Sequence, residues 1–312
     1  AGRLARPVVS VGNLHWGGAG KTPMVAAVAR HLSDRGLYTA ILSRGYGRRS
    51  KGVRVVSTGE GPMLGPLVAG DEPVLLAGEL PGVAVIVGED RYRAGLQVLE
   101  HLDPAPDVFL LDDGFSHLSL FRDIDLLVFP AADPLAGGRL LPTGRLREPL
   151  ESVDRADAAI LIGADRAAAE SLGEALQPFG LEGPAFACSI DTQPAQLVTG
   201  ELLQTGTRVL TVAAIARPER LVEAARQAGF RIAATLTFSD HHSYPRRSLR
   251  RIERAFRETA SDAVLTTSKD RVKLLGRLDL PLAELPIRAN PEESLWSWLD
   301  KRLDQQIVEL AE

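Results

Sequence analysis

Short apolar runs alternate along the chain with longer segments in which apolar residues recur every three or four positions. The runs are rich in β-branched residues and predict buried strands at residues 8–11, 38–42, 53–56, 83–87, 108–111, 125–129 and 158–162. Helical spacing, as in Met24, Val28 and Leu32, predicts a helix after the first strand. Buried strands that alternate with helices are typical of βαβ units and a mostly parallel sheet. The first half of the chain is therefore predicted to be an α/β domain.

The second half of the chain repeats this pattern on a smaller scale. Apolar runs predict strands at residues 208–213, 232–238 and 263–267, and helical periodicity predicts helices at 218–228 and 245–259. Residues 184–198 carry alternating apolar positions, which suit a β-ribbon between the two halves. We predict one domain over residues 1–184 and a smaller α/β domain over residues 185–312. The last predicted helix, residues 291–310, could pack on either domain.

A glycine-rich loop follows the first predicted strand. It reads Gly17-Gly18-Ala19-Gly20-Lys21-Thr22 and opens the first predicted helix. Glycines let successive backbone N–H groups turn inward around a phosphate, and the helix N-terminus adds its positive end. Lys21 can then reach the terminal phosphates of a nucleotide, and the Thr22 hydroxyl can bind Mg²⁺. The alternative is a glycine-rich turn that only starts a helix, and His15 stands where the usual motif has its first glycine.

Acidic residues stand at the ends of two strands predicted in the first domain. Asp112 and Asp113 follow one of these strands, and Asp90 follows another. In P-loop proteins an acidic residue at such a strand end holds Mg²⁺, directly or through water. Ligands of open α/β sheets gather outside the carboxyl ends of the strands, so these residues and the glycine-rich loop can converge. Without that loop, Asp112-Asp113-Gly114 would be better interpreted as a turn.

Two further clusters carry candidate chemistry. The segment Asp240-His241-His242 follows a predicted strand, and adjacent residues of an extended chain point to opposite sides. Only one of the two histidines can therefore reach a site, and the alternative is that both are helix caps or surface residues. Arg44 and Arg48 lie in a basic, glycine-containing loop that could grip a phosphate, although a solvated loop would have the same composition.

Charge and composition limit the classes of protein. The 312 residues carry a formal net charge of −4, which gives no global case for nucleic-acid binding. Cys188 is the only cysteine, so an intrachain disulfide is impossible and a reducing compartment is expected. No apolar run approaches the roughly 18 residues that a membrane-spanning helix needs. These observations predict a cytoplasmic protein.

A series of short motifs occurs in order along the chain. They are VGNL at 11–14, GGAGKTP at 17–23, SRGYGR at 43–48, GDEP at 70–73, DR at 90–91, LDDGF at 111–115, LREPL at 146–150, FSDHH at 238–242 and TTSKD at 266–270. Together the motifs resemble the tetraacyldisaccharide 4′-kinase family. The resemblance implies an ATP-dependent kinase that phosphorylates the 4′-hydroxyl of an acylated glucosamine disaccharide 1-phosphate during lipid A biosynthesis. It also implies a P-loop domain and a smaller α/β domain, joined by a β-ribbon, with the active site between them.

The resemblance further implies catalytic roles for individual residues. Asp90 matches the catalytic base of the family, His241 matches the histidine that pairs with it, and Glu148 matches an active-site acidic residue. Lys21 and Thr22 match the residues that bind the phosphates and Mg²⁺. Because the histidine comes from the second domain, the chemistry is expected to wait for closure of the two domains.

Substrate and partners are also expected from this resemblance. Asn13, Arg44 and Arg48 fall in motifs expected to bind the lipid substrate, and Asp112 and Asp113 match the acidic pair of the metal site. Members of the family dock on the cytoplasmic face of the inner membrane through a basic amphipathic segment that precedes the first strand. Here the first predicted strand starts at residue 8, so peripheral membrane contact is expected by analogy alone. We expect a monomer.

Two other classes of function are open to the sequence. One is a P-loop GTPase or metal-insertion chaperone, but guanine recognition uses Asn/Thr-Lys-x-Asp, whereas Lys269 and Asp270 are adjacent. The other is a nucleotide-binding regulator without catalytic activity. A regulator does not need a full set of catalytic groups, and five such groups occur together here, which argues against a regulator. They are Lys21, Thr22, Asp90, Asp112 and His241.

Overall fold

The computed structural model describes residues 1–311, which form two β-sheets and nine α-helices. The strands of the large sheet are β1 Val8–Gly12, β2 Thr39–Ser43, β3 Arg54–Ser57, β4 Ala84–Val87, β5 Val108–Asp112, β6 Ile124–Pro130, β7 Ala158–Ile162, β8 Ala185–Thr192 and β14 Ile287–Pro291. The strands of the small sheet are β9 Gln196–Leu197, β10 Arg208–Ala213, β11 Arg231–Thr237, β12 Ala263–Thr266 and β13 Leu282–Glu284. The helices are α1 Lys21–Asp34, α2 Pro66–Ala69, α3 Asp71–Glu79, α4 Arg91–His101, α5 Arg166–Leu176, α6 Glu219–Gln227, α7 Arg246–Glu258, α8 Ser268–Leu274 and α9 Glu293–Ala311.

The large sheet is mostly parallel, as the apolar runs predict. Its strand order is β14-β8-β7-β6-β1-β5-β2-β4-β3, and the two edge strands β3 and β14 are antiparallel to their neighbours. The first strand, β1, lies near the centre and pairs with β5 and β6. The carboxyl ends of β1, β2, β4 and β5 therefore lie along one edge of the sheet. The predicted α/β fold class is confirmed.

Helices cover both faces of the large sheet. Side chains of a strand point alternately to opposite faces, and the strands of this sheet are buried on both. Val9 and Leu110 face the layer that contains α1, α3 and α9, whereas Val8 and Phe109 face the layer that contains α4. The sheet is thus held between two apolar layers, which keeps the loops at its carboxyl edge in fixed positions.

The small sheet has the order β11-β10-β12-β13-β9 and is parallel except for the pair of β13 with β9. Helix α6 packs on one face through Leu221 and Ala225. Helices α7 and α8 pack on the other face, where Ile252 and Leu274 are fully buried. The second half of the chain therefore has its own apolar core.

A two-stranded ribbon joins the two sheets. Strands β8 and β14 pair antiparallel, and the inner half of β8 also pairs with β7, so the ribbon extends the large sheet. After β14 the chain returns to the large sheet, where Leu295, Leu299 and Leu303 of α9 join the core around α1. The final helix thus packs on the first domain, and the domain boundary at residues 184 and 185 stays a prediction. Within residues 1–311, none of the helices combines the length and the apolarity that crossing a bilayer requires.

Candidate active site

Strand β1 leads into the glycine-rich loop, and α1 begins at Lys21. Gly17 and Gly20 have φ angles of 101° and 87°, in the left-handed region that glycine adopts without steric cost. A Cβ atom at Gly20 would lie 3.0 Å from Cγ2 of Ile162, so the close approach of the loop to β7 also favours glycine there. The structure places Lys21 and Thr22 in the first turn of α1, where the helix N-terminus favours negative charge.

The ammonium group of Lys21 is held by residues of two neighbouring strands. Its Nζ donates to Oδ1 of Asn13 at 2.8 Å and lies 3.3 Å from Oδ1 of Asp113. Arg147 donates to both carboxylate oxygens of Asp113, at 3.0 Å and 2.8 Å, and to the side chain of Asn13. This network fixes Lys21 at the mouth of the glycine-rich loop.

The charge state of Asp113 follows from these contacts. Burial works to raise its pKa, but the hydrogen bonds from Arg147 and the charges of Lys21 and Arg147 outweigh burial and lower the pKa to about 2. Both of its oxygens already accept hydrogen bonds from Arg147, so Asp113 organises Lys21 in this structure. The predicted place of Asp113 in the metal site stays a prediction.

Asp112 lies at the end of β5 in a different environment. Its side chain is buried and accepts a hydrogen bond from the Ser43 hydroxyl at 2.8 Å. Burial and the nearby carboxylates of Glu72 and Asp113 raise its pKa to about 7, although Ser43 and Lys21 oppose the rise. A buried carboxylate among other carboxylates is an environment that a divalent cation stabilises.

The donor set suits Mg²⁺ bound together with a nucleotide. No group of three or more His, Cys, Asp or Glu residues among residues 1–311 forms a metal cage made of protein ligands alone. Mg²⁺ usually takes one or two protein ligands and completes its shell with water and phosphate oxygens. The Asp112 carboxylate and the Thr22 hydroxyl near the glycine-rich loop fit that pattern.

The loop after β11 brings a histidine of the second domain to the first. His241 has a φ angle of 57°, and its Nδ1 lies 3.1 Å from Oδ2 of Asp71, the first residue of α3. His242 turns the other way, where its ring stacks on Phe238 and its Nε2 lies 2.8 Å from the Ser248 hydroxyl. Of the two adjacent histidines, His241 is therefore the one that reaches the domain boundary.

Asp71 is the carboxylate on which the second domain converges. Only 7% of its side chain is exposed, and burial works to raise its pKa. The hydrogen bond with His241 and the charges of Lys269, His241 and Lys273 outweigh burial and lower the pKa to about 2. Lys269 also lies 3.1 Å from Oε1 of Glu72 and 3.2 Å from Nε2 of His241. The first turn of α3 and the start of α8 thus form one network across the domain boundary.

In this structure Asp90 lies at the start of α4, and its predicted role as catalytic base stays a prediction. Its side chain caps α4 by accepting a hydrogen bond from the backbone N–H of Arg93 at 3.1 Å, and 45% of it is exposed. The predicted pair of Asp90 with His241 is not present in this structure, because Asp71 occupies the position beside the imidazole. Asp90 and Asp71 both stand at the start of a helix, which explains why the sequence does not separate them.

Two of the predicted substrate-binding residues, Arg48 and Asn13, form hydrogen bonds with other residues of the first domain. The guanidinium of Arg48 is 4% exposed, and it pairs with Glu89 at 2.7 Å and donates to the carbonyl of Gly52 at 2.8 Å. Arg48 therefore stabilises its own loop and is unavailable to a substrate phosphate in this structure. Asn13 is fully buried and accepts a hydrogen bond from Lys21, and its predicted contact with the substrate stays a prediction. Arg44 is exposed beside the end of β2.

Glu148 lies at the edge of the site. Its carboxylate accepts hydrogen bonds from the Ser116 hydroxyl and from Arg155, and 24% of its side chain is exposed. The Arg155 guanidinium also stacks over the ring of Phe115, 4.3 Å from its centroid. These contacts fix Glu148 next to the loop that follows Asp113, and its role in chemistry stays a prediction.

A cleft of about 420 Å³ opens between the domains beside Asp71 and His241. Its walls carry exposed apolar side chains, including Leu67, Val68 and Leu275, which are 50%, 39% and 49% exposed. The ring of Tyr46, also in the wall, lies 5.0 Å from the ring of His241. The cleft is mostly apolar, with a carboxylate and an imidazole at one end, which is typical of sites that bind amphipathic molecules.

Sequence reasoning overlooks Asp71, Glu72, Arg147, Lys269 and Lys273 as site residues. Their positions could have identified all of them except Lys273, because these residues lie in the motifs GDEP, LREPL and TTSKD. Acidic residues followed by a proline are also typical of a helix start, which gives Asp71 and Glu72 a purely structural interpretation. Their partners His241 and Lys269 lie 170 and 197 residues further along the chain, and only the folded structure brings them together.

The fold and the site define the class of P-loop phosphotransfer proteins, because a lysine at the start of a helix and a carboxylate at the end of the neighbouring strand lie beside one glycine-rich loop. The chain belongs to the tetraacyldisaccharide-1-P 4′-kinase family (LpxK), whose family model matches residues 1–304. The predicted resemblance to this family is confirmed.

Relatives and a solved structure agree with this assignment. A tetraacyldisaccharide 4′-kinase from Geobacter sulfurreducens is 43% identical over 280 residues, which cover 88% of this chain and 76% of the relative. One from Geobacter metallireducens is 42% identical over 285 residues, 90% of this chain and 83% of the relative. The crystal structure of an "apo" form of LpxK from Aquifex aeolicus in complex with ATP superimposes with a TM-score of 0.75 at 32% identity, covering 97% of this chain and 90% of that one.

Proposed function

We propose that this chain transfers the γ-phosphate of ATP to the 4′-hydroxyl of tetraacyldisaccharide 1-phosphate, a step of lipid A biosynthesis. Membership of the kinase family and the ATP complex of the Aquifex aeolicus relative support this proposal. The observation that carries it is the contact of Asp71 with His241 across the domain boundary, 3.1 Å between Oδ2 and Nδ1. Glu72, the neighbour of Asp71, lies within electrostatic range of Asp112, which links this pair to the phosphate loop.

The glycine-rich loop and Lys21 bind the nucleotide phosphates in this proposal. The loop supplies backbone N–H groups and the positive end of α1, and Lys21 neutralises charge on the transferred phosphoryl group. Thr22 and Asp112 would hold Mg²⁺, which when bound neutralises the phosphate oxygens further. Asp113 and Asn13 keep Lys21 in place, so the positive charge meets the phosphate without reorganisation.

Asp71 replaces Asp90 as the proposed catalytic base. An alcohol is a weak acid, so a carboxylate within hydrogen-bond reach of the 4′-hydroxyl accepts its proton as the loose transition state forms. His241 and the neighbouring ammonium groups keep Asp71 ionised and fix its plane. Since these partners come from the second domain, the base is complete only when the two domains are in contact.

The apolar cleft beside Asp71 supports a lipid acceptor. Its exposed leucine and valine side chains can bind acyl groups next to Asp71, the proposed base for the sugar hydroxyl. Arg44, exposed at the end of β2, is the proposed contact for the 1-phosphate of the substrate. Because the acceptor is an acylated lipid, the enzyme is proposed to work in peripheral contact with the cytoplasmic face of the inner membrane. It is proposed to work there as a monomer.

Transfer of labelled phosphate from ATP to the disaccharide lipid tests the proposal. The wild-type chain is expected to label the acceptor, and Lys21→Ala is expected to reduce the rate by at least about 100-fold. Absence of transfer by the wild-type chain to this acceptor, with intact ATP binding, would contradict the proposed function. Sedimentation with and without anionic vesicles tests the membrane contact separately.

A matched pair of variants separates the two candidate bases. Asp71→Asn is expected to lower kcat by about 100- to 10,000-fold, the usual size of a general-base effect. Asp90→Asn is expected to stay within a few-fold of the wild type, because Asn caps a helix about as well as Asp. The opposite order of the two rates would restore Asp90 as the base.

The GTPase or chaperone alternative has no supporting observation. Lys269, the residue that a guanine motif would use, pairs with Glu72 and His241 at the domain boundary. Family membership and the relatives favour the kinase over both alternatives.

A further inference from the structure

Lys273 of α8 is a buried lysine between two carboxylates that belong to different domains. Only 6% of its side chain is exposed, and its Nζ lies 2.8 Å from Oδ1 of Asp270 and 3.5 Å from Oδ2 of Asp71. Lysine is rarely buried unless it is paired, because removing an ammonium group from water costs several kcal/mol. The position of Lys273 therefore requires both carboxylates.

Asp270 is the fixed end of this arrangement. It is fully buried, and its Oδ2 accepts hydrogen bonds from the backbone N–H of Ala214 at 2.8 Å and from the Thr267 hydroxyl at 3.0 Å. Ala214 directly follows β10, and Thr267 caps α8, so Asp270 is anchored to the frame of the second domain. The ring of Tyr244 lies 5.5 Å from the Nζ of Lys273 and closes one side of the pocket.

The two lysines on this face of α8 divide the contacts with α3. Lys269 lies one turn before Lys273 and meets Glu72 and the Nε2 of His241. Lys273 meets Asp71 at the oxygen that also contacts Nδ1 of His241. Lys269 is therefore part of the network around the imidazole, whereas Lys273 reaches the proposed chemistry only through Asp71.

We propose that Lys273 is a positioning residue. Its ammonium group links the anchored Asp270 to Asp71 across the domain boundary and so fixes the plane of the Asp71 carboxylate. This inference rests on the proposed function, in which Asp71 accepts the proton of the acceptor hydroxyl. Lys273 and His241 both hold Oδ2, and the backbone N–H of Glu72 holds Oδ1 at 3.1 Å. With three groups around it, the carboxylate has one orientation toward the cleft, and a shift of 1 Å in such a group can cost about 100-fold in rate.

The test compares Lys273→Met with Arg271→Met on the same helix, in the labelled-phosphate assay. Arg271 pairs with Glu284 at 3.4 Å within the second domain and is the matched control. Lys273→Met is expected to lower kcat by about 100-fold, with KM for ATP within about twofold of the wild type. Arg271→Met is expected to leave both constants within about twofold. Lys273→Arg, which keeps the charge, is expected to recover part of the rate.

A double-mutant cycle separates positioning from a general structural effect. If Lys273 acts through Asp71, adding Lys273→Met to Asp71→Asn lowers the rate no further, because the group it positions is already absent. A full additional loss in that background would overturn the inference, as would a wild-type kcat for Lys273→Met. If Lys273→Met does not fold, as judged by ATP-binding stoichiometry, Asp270→Asn takes its place in the same cycle. A wild-type rate for Asp71→Asn alone would instead refute the proposed base.

Discussion

The charge of Asp71 makes a specific prediction about stability. In the folded chain its pKa is lowered from the ordinary 3.8 to about 2, with burial opposed by the hydrogen bond with His241 and the charges of Lys269, His241 and Lys273. The carboxylate is therefore more stable as an anion in the folded state than in the unfolded state. At about 1.4 kcal/mol per pKa unit, the ionised form contributes about 2 kcal/mol to the free energy of unfolding at neutral pH.

The sign of the pH dependence follows from the lowered pKa. This contribution is fully present above the unfolded pKa of Asp71 and is lost as the pH falls through its folded pKa. Asp71→Asn removes the titrating group, so the stability difference between the wild type and this variant is expected to shrink as the pH falls. The expected change is about 2 kcal/mol between pH 6 and pH 2, and hydrogen bonds lost with the carboxylate add only a constant offset.

Urea unfolding followed by circular dichroism measures this difference at a series of pH values. Asp279→Asn is the matched control, because Asp279 is exposed and forms no ion pair within residues 1–311. Its effect is expected to stay within about 0.5 kcal/mol at every pH. A wild-type to Asp71→Asn difference that is flat from pH 6 to pH 2 would refute the reasoning, because the network would then not favour the anion.

Three further outcomes are expected. Arg147→Met raises KM for ATP about tenfold, because Asp113 loses its Arg147 partner and then competes more strongly with the phosphates for the charge of Lys21. Steady-state ATP titration measures this, and an unchanged KM contradicts it. Gly12→Ala lowers the free energy of unfolding by about 1–3 kcal/mol in denaturant titration, because the new Cβ would lie 2.4 Å from Cβ of Phe115. Asp112→Asn raises the Mg²⁺ concentration needed for the half-maximal rate about tenfold. A Mg²⁺ titration of the variant that matches the wild type would contradict a role of Asp112 in metal binding.

The large sheet could be predicted from the sequence because its strands are buried on both faces. Such strands are continuous apolar runs, and their signal does not depend on distant residues. The run at 158–162 has the bounds of β7, and the run at 83–87 differs from β4 by one residue. The glycine-rich loop was also predictable, since its backbone conformation and its residue types are set locally.

Helix α8 shows where this reasoning fails. It is seven residues long and mostly polar, so apolar periodicity gives it no signal. Its inner face is stabilised by ion pairs of Lys269 and Lys273 with α3 and with Asp270, and these partners are set by tertiary structure. The ribbon strand β14 has the same difficulty, because its partner β8 lies about 100 residues earlier in the chain. Long-range pairing of this kind leaves no pattern within a local window.

The choice between Asp90 and Asp71 is the clearest limit of the sequence. Both are aspartates at the start of a helix in the first domain, and both precede or open an amphipathic segment. What distinguishes them is the second domain. The Asp90 carboxylate accepts a hydrogen bond from the backbone of its own helix and is about half exposed. The Asp71 carboxylate is buried beside His241, Lys269 and Lys273 of the second domain. Because the groups that hold Asp71 ionised come from across the domain boundary, this proposed base is oriented only when that interface forms. In the proposed mechanism, the interface that buries Asp71 therefore also determines when phosphate transfer is possible.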